Sequence, residues 1–440
     1  MSLPRYPKYK DSGVEWLGEV PAHWSVRALK HVVSTPITDG PHETPDFPDE
    51  GVPFASAESV SSGRLDFAKV RGFISPTDHE RFSQKYKPRR NDIFMVKSGA
   101  TTGVTAIVDT DIDFNIWSPL AAIRCNDETC PRFVLNYLRS RSFLDAVTLG
   151  WNFGTQQNIG MGVIENLYLA VPPLAEQEAI AAFLGQETGK IDALVEEQRR
   201  LIELLKEKRQ AVISHAVTKG LNPSVPMKDS GADWLGPVPE HWRVERAGHL
   251  FVERDERSED GDEEMLTVSH LTGVTPRSEK TVNMFEAETN EGYKKVAQGD
   301  LVINTLWAWM GAMGVSSNNG IVSPAYHVYS PRPSIQSDYI NNLVRIPNFA
   351  REASRWSKGV WSSRLRLYPQ EMFQILFPVP PAEEQLQISK RILGYELKAD
   401  RLIRESERAI DLLQERRTAL ISAAVTGKID VRGLAAEDAA

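Results

Sequence analysis

The sequence is poor in cysteine, since only Cys125 and Cys130 occur among 440 residues. A single pair makes neither a disulfide framework nor a four-ligand zinc site, because either would need a companion pair at a suitable spacing. We therefore expect both side chains to be plain thiols in a reducing cytoplasm.

Long apolar runs are also missing. No stretch approaches the length that spans a bilayer, and the N-terminal MSLPRYPKYK lacks the apolar core of a signal peptide. We expect a cytoplasmic protein that makes no membrane contact.

Several catalytic signatures are absent. The sequence contains no GxxxxGK[ST] phosphate loop, no HExxH, no paired CxxC, no Gly-rich dinucleotide fingerprint and no NPPY-like motif of an adenine methyltransferase. These motifs cover the chemistries that DNA modification and cleavage would require. We therefore predict a chain with no catalytic residues and no metal site.

An excess of positive charge is missing as well, and the formal net charge is −8. Attraction to phosphate is nevertheless local, because salt screens it within about 10 Å. Positive runs occur at 85–90 (KYKPRR) and at 355–366 (RWSKGVWSSRLR). Either run alone is typical of a solvated face, but two runs in matched segments favour a nucleic-acid surface.

What the sequence does contain is an internal repeat. The segments between the repeated blocks, about 25–170 and 243–378, show almost no similarity to each other. A chain that keeps its framework twice and varies what the framework carries presents two different recognition surfaces. The repeated blocks are KDSGVEWLGEVPAHW (10–24) and KDSGADWLGPVPEHW (228–242), VPPLAEQ (171–177) and VPPAEEQ (379–385), and LLKEKRQAVISHAVT (204–218) and LLQERRTALISAAVT (412–426).

The repeat has two offsets, 218 residues for the first block and 208 for the others. Asp92 and Asp300, in NDIFMV and GDLVIN, already stand at the offset of 208. The first variable segment therefore carries its extra length between Trp24 and Asp92. Short β-like runs and short helical patterns mix in both segments, which predicts two diverged copies of one α+β fold.

Two long helices are predicted over 174–219 and 382–426, each about 65 Å long at 1.5 Å per residue. A heptad with Leu184 and Ile191 at position a places Leu194 and Leu201 at position d, flanked by Val195 and Ile202. This stripe suits two helices that pair along part of their length and space the variable domains. The predicted pairing residues are Leu184, Ile191, Leu194, Leu201, Leu205, Leu402, Leu413 and Leu420.

Several blocks together resemble the specificity subunit of type I restriction–modification systems. They are the doubled DSGxxWLGxVPxHW lead, the helix starts VPPLAEQEAIAAFL and VPPAEEQLQISKRIL, and the endings VTKG and VTGKIDVR. TDGPHETPDF at 38–47 is similar to a segment common in the recognition domains of that family. The second copy has EEMLTVSHLTG at 263–273 instead, as expected if it reads a different sequence.

The resemblance implies a non-catalytic subunit that reads a bipartite double-stranded DNA site and docks two methyltransferase subunits, with restriction (motor–nuclease) subunits joining the complex. It implies S-adenosylmethionine in the methyltransferase partner, ATP and magnesium in the restriction partner, and no cofactor on this chain. The fold implied is two α+β target-recognition domains joined by two long antiparallel helices in a coiled coil, as a pseudo-two-fold internal repeat. The expected divisions are 1–173 (lead and first recognition domain), 174–219 (first helix), 220–381 (linker and second recognition domain), 382–432 (second helix and closure) and 433–440 (disordered tail).

Base edges in the major groove are read by Arg, Asn, Gln, Ser, Thr and apolar groups, and Lys or Arg on the rims bind phosphates. If NTLWAWMG (304–311) is a strand, Trp307 and Trp309 face one side of it. The DNA-contact candidates in the first domain are His42, Thr44, Lys87, Arg89, Arg90, Lys97, Ser98, Thr101, Thr102, Asn152, Gln156, Gln157 and Asn158. Those in the second are Ser269, His270, Asn304, Trp307, Trp309, Lys358, Trp361, Ser363, Arg364 and Arg366.

Two other functions remain open at this stage. One is a stand-alone DNA-modifying enzyme with an unrecognised active site, and the other is a coiled-coil adaptor that binds only protein. DNA binding that weakens steeply with salt would distinguish a DNA reader from the adaptor, because phosphate contacts release counterions.

Overall fold

Two long helices, Leu174–Lys219 and Ala382–Val425, organise the chain. The computed structural model describes residues 3–149, 152–153, 157–279, 289–361 and 365–434. The chain divides into unit 1, Met1–Gln198 with Glu407–Ala440, and unit 2, Arg199–Ser406. Each unit therefore contains the start of one long helix and the end of the other.

Each long helix begins directly after a Pro-Pro pair, where the missing proline N–H costs no helical hydrogen bond. The glutamine three residues into each helix secures this start. Gln177 Nε2 donates to Pro172 O at 2.9 Å, and Gln385 Nε2 donates to Pro380 O at 2.9 Å. The same side chain also accepts a backbone N–H from the variable segment, so the helix start and the recognition domain are joined within each unit.

The variable segments share one strand order. Each contains a four-stranded antiparallel sheet, whose strands run in the order Thr38–Asp39, Leu120–Ile123, Ile93–Val96, Thr105–Ile107 in unit 1 and Phe251–Arg254, His327–Pro331, Leu301–Ile303, Met313–Val315 in unit 2. This shared order agrees with the prediction of two copies of one fold.

The remaining described elements surround these sheets. In unit 1 the strands are Tyr9–Asp11, Glu19–Pro21, Ser25–Ala28, Val52–Ala55, Gly72–Ile74, Asn115–Ile116, Asn152–Phe153, Gln157–Asn158 and Tyr168–Val171, and the helices are Leu29–His31, Ala57–Val60, Phe67–Lys69, Pro76–Lys85, Pro131–Leu138, Arg141–Leu149 and Met161–Asn166. In unit 2 the strands are Met227–Lys228, Val238–Pro239, Arg243–Arg246, Leu266–Ser269, Gly273–Pro276, Lys294–Val296, Gly320–Val322 and Leu376–Val379, and the helices are Ala247–Leu250, Arg277–Glu279, Ala308–Met310, Ser337–Val344, Pro347–Trp356 and Pro369–Met372.

The predicted heptad places its second apolar position, d, one residue too early. Leu194, Leu201 and Leu402 are exposed, by 52%, 41% and 38%, whereas Val195 and Ile202 are buried. The inward stripe therefore runs four residues after each a position instead of three. Leu184 and Ile191 are buried as predicted, and Leu205, Leu413 and Leu420 are half-buried.

Ion pairs hold this register of the helices within each unit. In unit 1, Arg417 Nε lies 2.9 Å from Asp192 Oδ1, and in unit 2 Arg209 pairs with Asp400. Both arginines stand four residues after an a position, on the inward stripe. A charged residue at such a position fixes the register of the paired helices.

The repeated lead closes onto the start of each long helix. Trp24 and Trp242 are fully buried, and their indole Nε1 groups donate to Glu176 and Glu384 at 3.0 Å. The lead thus forms a plug, in which a buried indole packs against the start of the long helix.

In unit 1 the two chain ends complete the plug. Asp430 N donates to Pro4 O at 2.8 Å, and Tyr9 Oη donates to Gly427 O at 3.0 Å. Val431 is buried in the same cluster as Trp24. The ends of the chain therefore pack together within this unit.

Both cysteines are free and half-buried, and burial raises the pKa of the Cys125 thiol to about 12. The thiol therefore stays protonated at neutral pH, as expected of an inert cysteine. Among the described helices, none has the length and apolar character needed to cross a membrane.

Candidate nucleic-acid interface

The same hydrogen-bonded frame recurs at the base of one loop in each unit. Val96 N donates to Val104 O at 2.8 Å and Asn304 N donates to Ala312 O at 3.0 Å, and the two pairs are related by the offset of 208. The loop between the two framed strands covers 97–103 in unit 1 and 305–311 in unit 2. The frame therefore presents two sequences of different chemistry at equivalent positions.

Equivalent glycines turn both loops. Gly103 and Gly311 adopt φ values of 91° and 85°, a region that glycine enters without steric cost. The loop sequences are KSGATTG and TLWAWMG. The first is polar and the second is largely apolar.

In unit 1 loop 97–103 meets the paired strands Asn152–Phe153 and Gln157–Asn158. Ile159 N donates to Lys97 O at 2.8 Å, and Ser98 forms a β-bridge with Asn158, which is exposed. Thr102 Oγ1 donates to Gly99 O at 2.6 Å, and Thr101 is half-buried in the same loop. The structure thus brings together two candidate segments that lie about 55 residues apart in sequence.

A carboxylate ties the DGPHETP turn to this loop. Asp39 is 7% exposed, and its oxygens lie 3.0 Å from Lys97 Nζ, 2.6 Å from Lys85 Nζ and 3.1 Å from His42 Nε2. Burial alone would raise the pKa of Asp39, but hydrogen bonds from the two lysines outweigh it and the pKa is lowered. Two candidate side chains, His42 and Lys97, and the further lysine Lys85 therefore converge on one carboxylate.

The basic run of unit 1 is largely paired with acidic side chains. Lys87 Nζ lies 2.9 Å from Asp113 Oδ2, and Arg90 makes a bidentate contact with Asp111. These pairs are exposed, so a phosphate could replace the carboxylates at small cost. Arg89 and Thr44 are exposed as well.

Three candidates of unit 1 lie at or next to residues outside the described ranges. Gln156 lies outside the described residues. Asn152 and Gln157 belong to the described hairpin strands, where Asn152 pairs with Asn158 and Phe153 with Gln157.

In unit 2 a tight turn displays His270. Ser269 Oγ accepts Thr272 N at 3.1 Å, which places Ser269 inside the turn and leaves His270 exposed. Arg345 Nη2 donates to Leu271 O at 2.6 Å and holds the turn in place.

Two predictions for NTLWAWMG are wrong. Asn304 is 5% exposed and donates to Tyr326 Oη at 3.0 Å, so it is buried as a structural residue and cannot reach a base edge. Trp307 and Trp309 do not alternate along a strand, because Ala308–Met310 is a 3-10 helix. The two indoles stack instead, with centroids 6.2 Å apart and planes at 20°.

The second basic run begins at the end of helix Pro347–Trp356 and includes an antiparallel bridge between Lys358 and Arg366. Lys358 and Arg366 exchange two backbone hydrogen bonds of 2.9 Å, and Lys358 also pairs with Glu371. Trp361 is 69% exposed. Ser363 and Arg364 lie outside the described residues.

Sequence reasoning missed a pair of equivalent arginines. Arg139 Nη2 donates to Gly63 O at 2.6 Å in unit 1, and Arg345 Nη2 donates to Leu271 O at 2.6 Å in unit 2. The acceptors Gly63 and Leu271 are related by the offset of 208. Burial lowers the pKa of Arg139 to about 10. Both arginines end a short helix, and only that shared position could have indicated them.

Comparison with known proteins shows which family this chain resembles. Residues 21–204 match the family model described as "Type I restriction modification DNA specificity domain". The "Putative type I restriction enzyme MjaX specificity subunit" of Methanocaldococcus jannaschii is 23% identical over 441 residues, covering 94% of this chain and 96% of that protein. Residues 21–204 are therefore similar to the DNA specificity domain of type I restriction–modification systems, and the predicted resemblance is confirmed.

A second relative agrees. The EcoBI specificity subunit of Escherichia coli is 21% identical over 358 residues, which is 73% of each chain. Both relatives are named specificity subunits of type I restriction enzymes. DNA target recognition is the function that this similarity implies.

Solved structures support the same fold. The HsdS subunit from Thermoanaerobacter tengcongensis superposes with a TM-score of 0.54 at 17% identity, over 93% of this chain and 98% of that one. A chain from "Structural basis underlying complex assembly and conformational transition of the type I R-M system" superposes with a TM-score of 0.60 at 16% identity, over 92% and 98%. Both cover nearly the whole chain.

Proposed function

We propose that this chain is a specificity subunit that reads a bipartite double-stranded DNA target, one half-site with each unit and unspecified bases between them. It docks two methyltransferase subunits, and restriction subunits complete the complex. In this proposal S-adenosylmethionine belongs to the methyltransferase partner, ATP and magnesium belong to the restriction partner, and this chain binds no cofactor. The complex works in the cytoplasm.

The observation that carries this proposal is the pair of loops 97–103 and 305–311. They stand on the same hydrogen-bonded frame, and they differ in chemistry. A domain that keeps its scaffold and changes one loop changes its ligand without changing its fold. Two such loops in one chain suit two unlike half-sites.

The internal repeat supports the scaffold role. Each unit contains one interhelical ion pair, Arg417–Asp192 in unit 1 and Arg209–Asp400 in unit 2. At the offset of 208, Asp192 corresponds to Asp400 and Arg209 corresponds to Arg417. We take the long helices to form an antiparallel coiled coil within a pseudo-two-fold internal repeat. Such a repeat offers two similar docking surfaces, as two methyltransferase subunits require.

The decisive experiment is co-expression with the neighbouring methyltransferase subunit in a host that lacks DNA methylation. Sequencing the genome for modified adenines should give one split motif, two short halves around a fixed gap. The expected motif would contain different bases in its two halves, because the two loops differ. No modification from a soluble complex would contradict the proposal.

A binding titration separates this function from the protein-only adaptor. The logarithm of the affinity for the identified motif should fall linearly with the logarithm of salt concentration. The slope should be about −0.9 for each phosphate contacted. Binding that ignores salt would favour the adaptor.

A further inference from the structure

The loops of unit 2 expose large apolar side chains, unlike the equivalent loop of unit 1. Trp307 is 50% exposed and Met310 is 36% exposed. At the offset of 208 these positions correspond to Gly99 and Thr102. The neighbouring turn also exposes Leu271 by 74%. Exposed apolar groups gathered in one place commonly mark a binding surface.

The exposed indole is held in a fixed orientation. Trp307 stacks on Trp309, and Trp309 Nε1 is fixed by donating to Leu306 O at 3.2 Å. The backbone is fixed as well, because Trp307 N donates to Asn304 O and Met310 N donates to Trp307 O, both at 3.0 Å. A rigid side chain loses little entropy when it binds, so this geometry suits recognition.

The loop rests on a firm base. Ala308 is fully buried, and the loop packs against helix Pro347–Trp356. Lys358 follows this helix by two residues in the sequence. Exposed His270 lies on the adjoining turn. The apolar tip is thus accompanied by donors of the kind that contact phosphate.

One apolar group is available on the base edges of the major groove, the 5-methyl group of thymine. An indole and a thioether have no charge to offer a phosphate, and hydrogen bonding to bases would favour polar residues such as those of loop 97–103. The chemistry of loop 305–311 therefore matches thymine methyl groups.

We propose that Trp307, supported by Met310, reads thymine methyl groups in the half-site bound by unit 2. The inference rests on the proposed function and goes beyond it, since it assigns a base and an atom to a residue. The half-site of unit 2 contains at least one thymine at a position that Trp307 contacts.

The test uses the complex of the full chain with its methyltransferase subunit, and the split motif found by methylation sequencing. Each thymine in the half-site of unit 2 is replaced in turn by deoxyuridine, which removes only the methyl group. At the contacted position the wild-type complex should bind about fourfold more weakly, the equivalent of one buried methyl group. Trp307→Ala should bind the natural site at least tenfold more weakly and show no further loss with deoxyuridine.

The salt dependence provides a second readout. An apolar contact releases no counterions, so Trp307→Ala should leave the slope of log affinity against log salt unchanged. Lys358→Ala should instead reduce that slope by about one if Lys358 contacts a phosphate. Val252→Ala, which alters a 48% exposed residue on an edge strand away from these loops, is the matched control and should change neither readout.

Two outcomes would overturn the inference: deoxyuridine replacements that leave wild-type binding unchanged, or an equal deoxyuridine loss in wild type and Trp307→Ala. The last would mean that another residue reads the methyl group. Failure of the proposed function is recognised separately, because then no split motif is modified at all. Trp307→Phe guards against misfolding and should retain most of the methyl discrimination.

Discussion

Equivalent glutamates, Glu176 and Glu384, close the two units, but they have different hydrogen-bond partners. Glu176 is 7% exposed and accepts hydrogen bonds from Tyr6 Oη at 2.5 Å and Trp24 Nε1 at 3.0 Å, with His23 Nε2 at 2.8 Å. Glu384, whose side chain is 23% exposed, contacts Trp242 and His241 in this way, and no third donor among the described residues. The third partner is the difference between the two units.

Continuity of the chain explains that difference. In unit 2 the helix end and the lead are joined covalently through 220–226, and Ser224 stands exposed where the repeat places Tyr6 in unit 1. In unit 1 the lead and the helix end lie far apart in the sequence, and Tyr6 ties the lead to the helix start through Glu176. Buried hydrogen bonds hold the lead in unit 1, whereas a short covalent segment holds it in unit 2.

The largest effect should come from removing this glutamate. Glu176→Ala leaves the buried hydroxyl of Tyr6 and the indole of Trp24 unpaired, so we expect a loss of about 3 kcal/mol in the local free energy of unfolding. Glu384→Ala should cost about half as much, about 1.5 kcal/mol, because fewer donors are stranded and water reaches the site. Hydrogen exchange of peptides 3–24 and 226–242 measures the two losses separately.

Equal losses in the two variants would contradict the role assigned to Tyr6. Tyr6→Phe is the control, since it removes only the hydroxyl and should bring unit 1 close to unit 2. Burial and the bond to Glu176 raise the pKa of Tyr6, so its hydroxyl stays a donor at any working pH.

A second contrast concerns how the two loops are fixed. Loop 97–103 is held by the charge cluster around Asp39, and loop 305–311 by stacked indoles. Asp39→Asn should cost about 2 kcal/mol of unfolding free energy in unit 1, because Lys97 is left buried and unpaired. Denaturation of the wild type and variant at neutral pH measures the loss.

The effect of pH follows from the lowered pKa of Asp39. A carboxyl group whose pKa is lower in the folded state stabilises the fold fully above its ordinary value of 3.8, and this stabilisation is lost as the pH falls through the folded value. Wild-type unit 1 should therefore lose stability below about pH 4, and Asp39→Asn should be less sensitive there. A variant with the same acid sensitivity as wild type would contradict the ionised cluster.

Much of the framework could be predicted from sequence because its signals are local. The Pro-Pro pairs mark where both long helices begin, and the repeated blocks indicate the family. The heptad failed because leucines occur at 194 and 201 beside Val195 and Ile202, and only the partner helix decides which residues face inward.

The candidate site was harder to predict, because exposure depends on the loop conformation. Asn304 has the chemistry of an adenine reader, yet it is buried against Tyr326. Trp307 and Trp309 suggest a strand by alternation, whereas Gly311 turns the segment into a 3-10 helix that stacks them. Contacts between segments far apart in the sequence, such as that of Asp39 with Lys97, have no signal in a single sequence.

The helix ion pairs should have a smaller and nearly equal effect in the two units. Arg417→Met and Arg209→Met keep most of the apolar stem of the side chain and remove one pair each, and the two arginine side chains are 31% and 26% exposed. We expect a loss of about 1 kcal/mol for each, in the upper range for partly exposed pairs. Double-mutant cycles with Asp192→Ala and Asp400→Ala measure the coupling, and unequal couplings would weaken the equivalence of the two units.

The smallest net effect is expected when the interruption is moved. A circular permutant that joins the natural ends by a short Gly-Ser linker and opens the chain within 220–226 transfers the break from unit 1 to unit 2. Because Asp430 and Pro4 already touch, we expect it to fold with a net change below about 1 kcal/mol and to retain DNA binding. Exchange protection should now fall in 226–242, and Ser224→Tyr should restore part of it by supplying Glu384 with a third donor. A well-expressed permutant that cannot fold would contradict the closed arrangement of the chain ends.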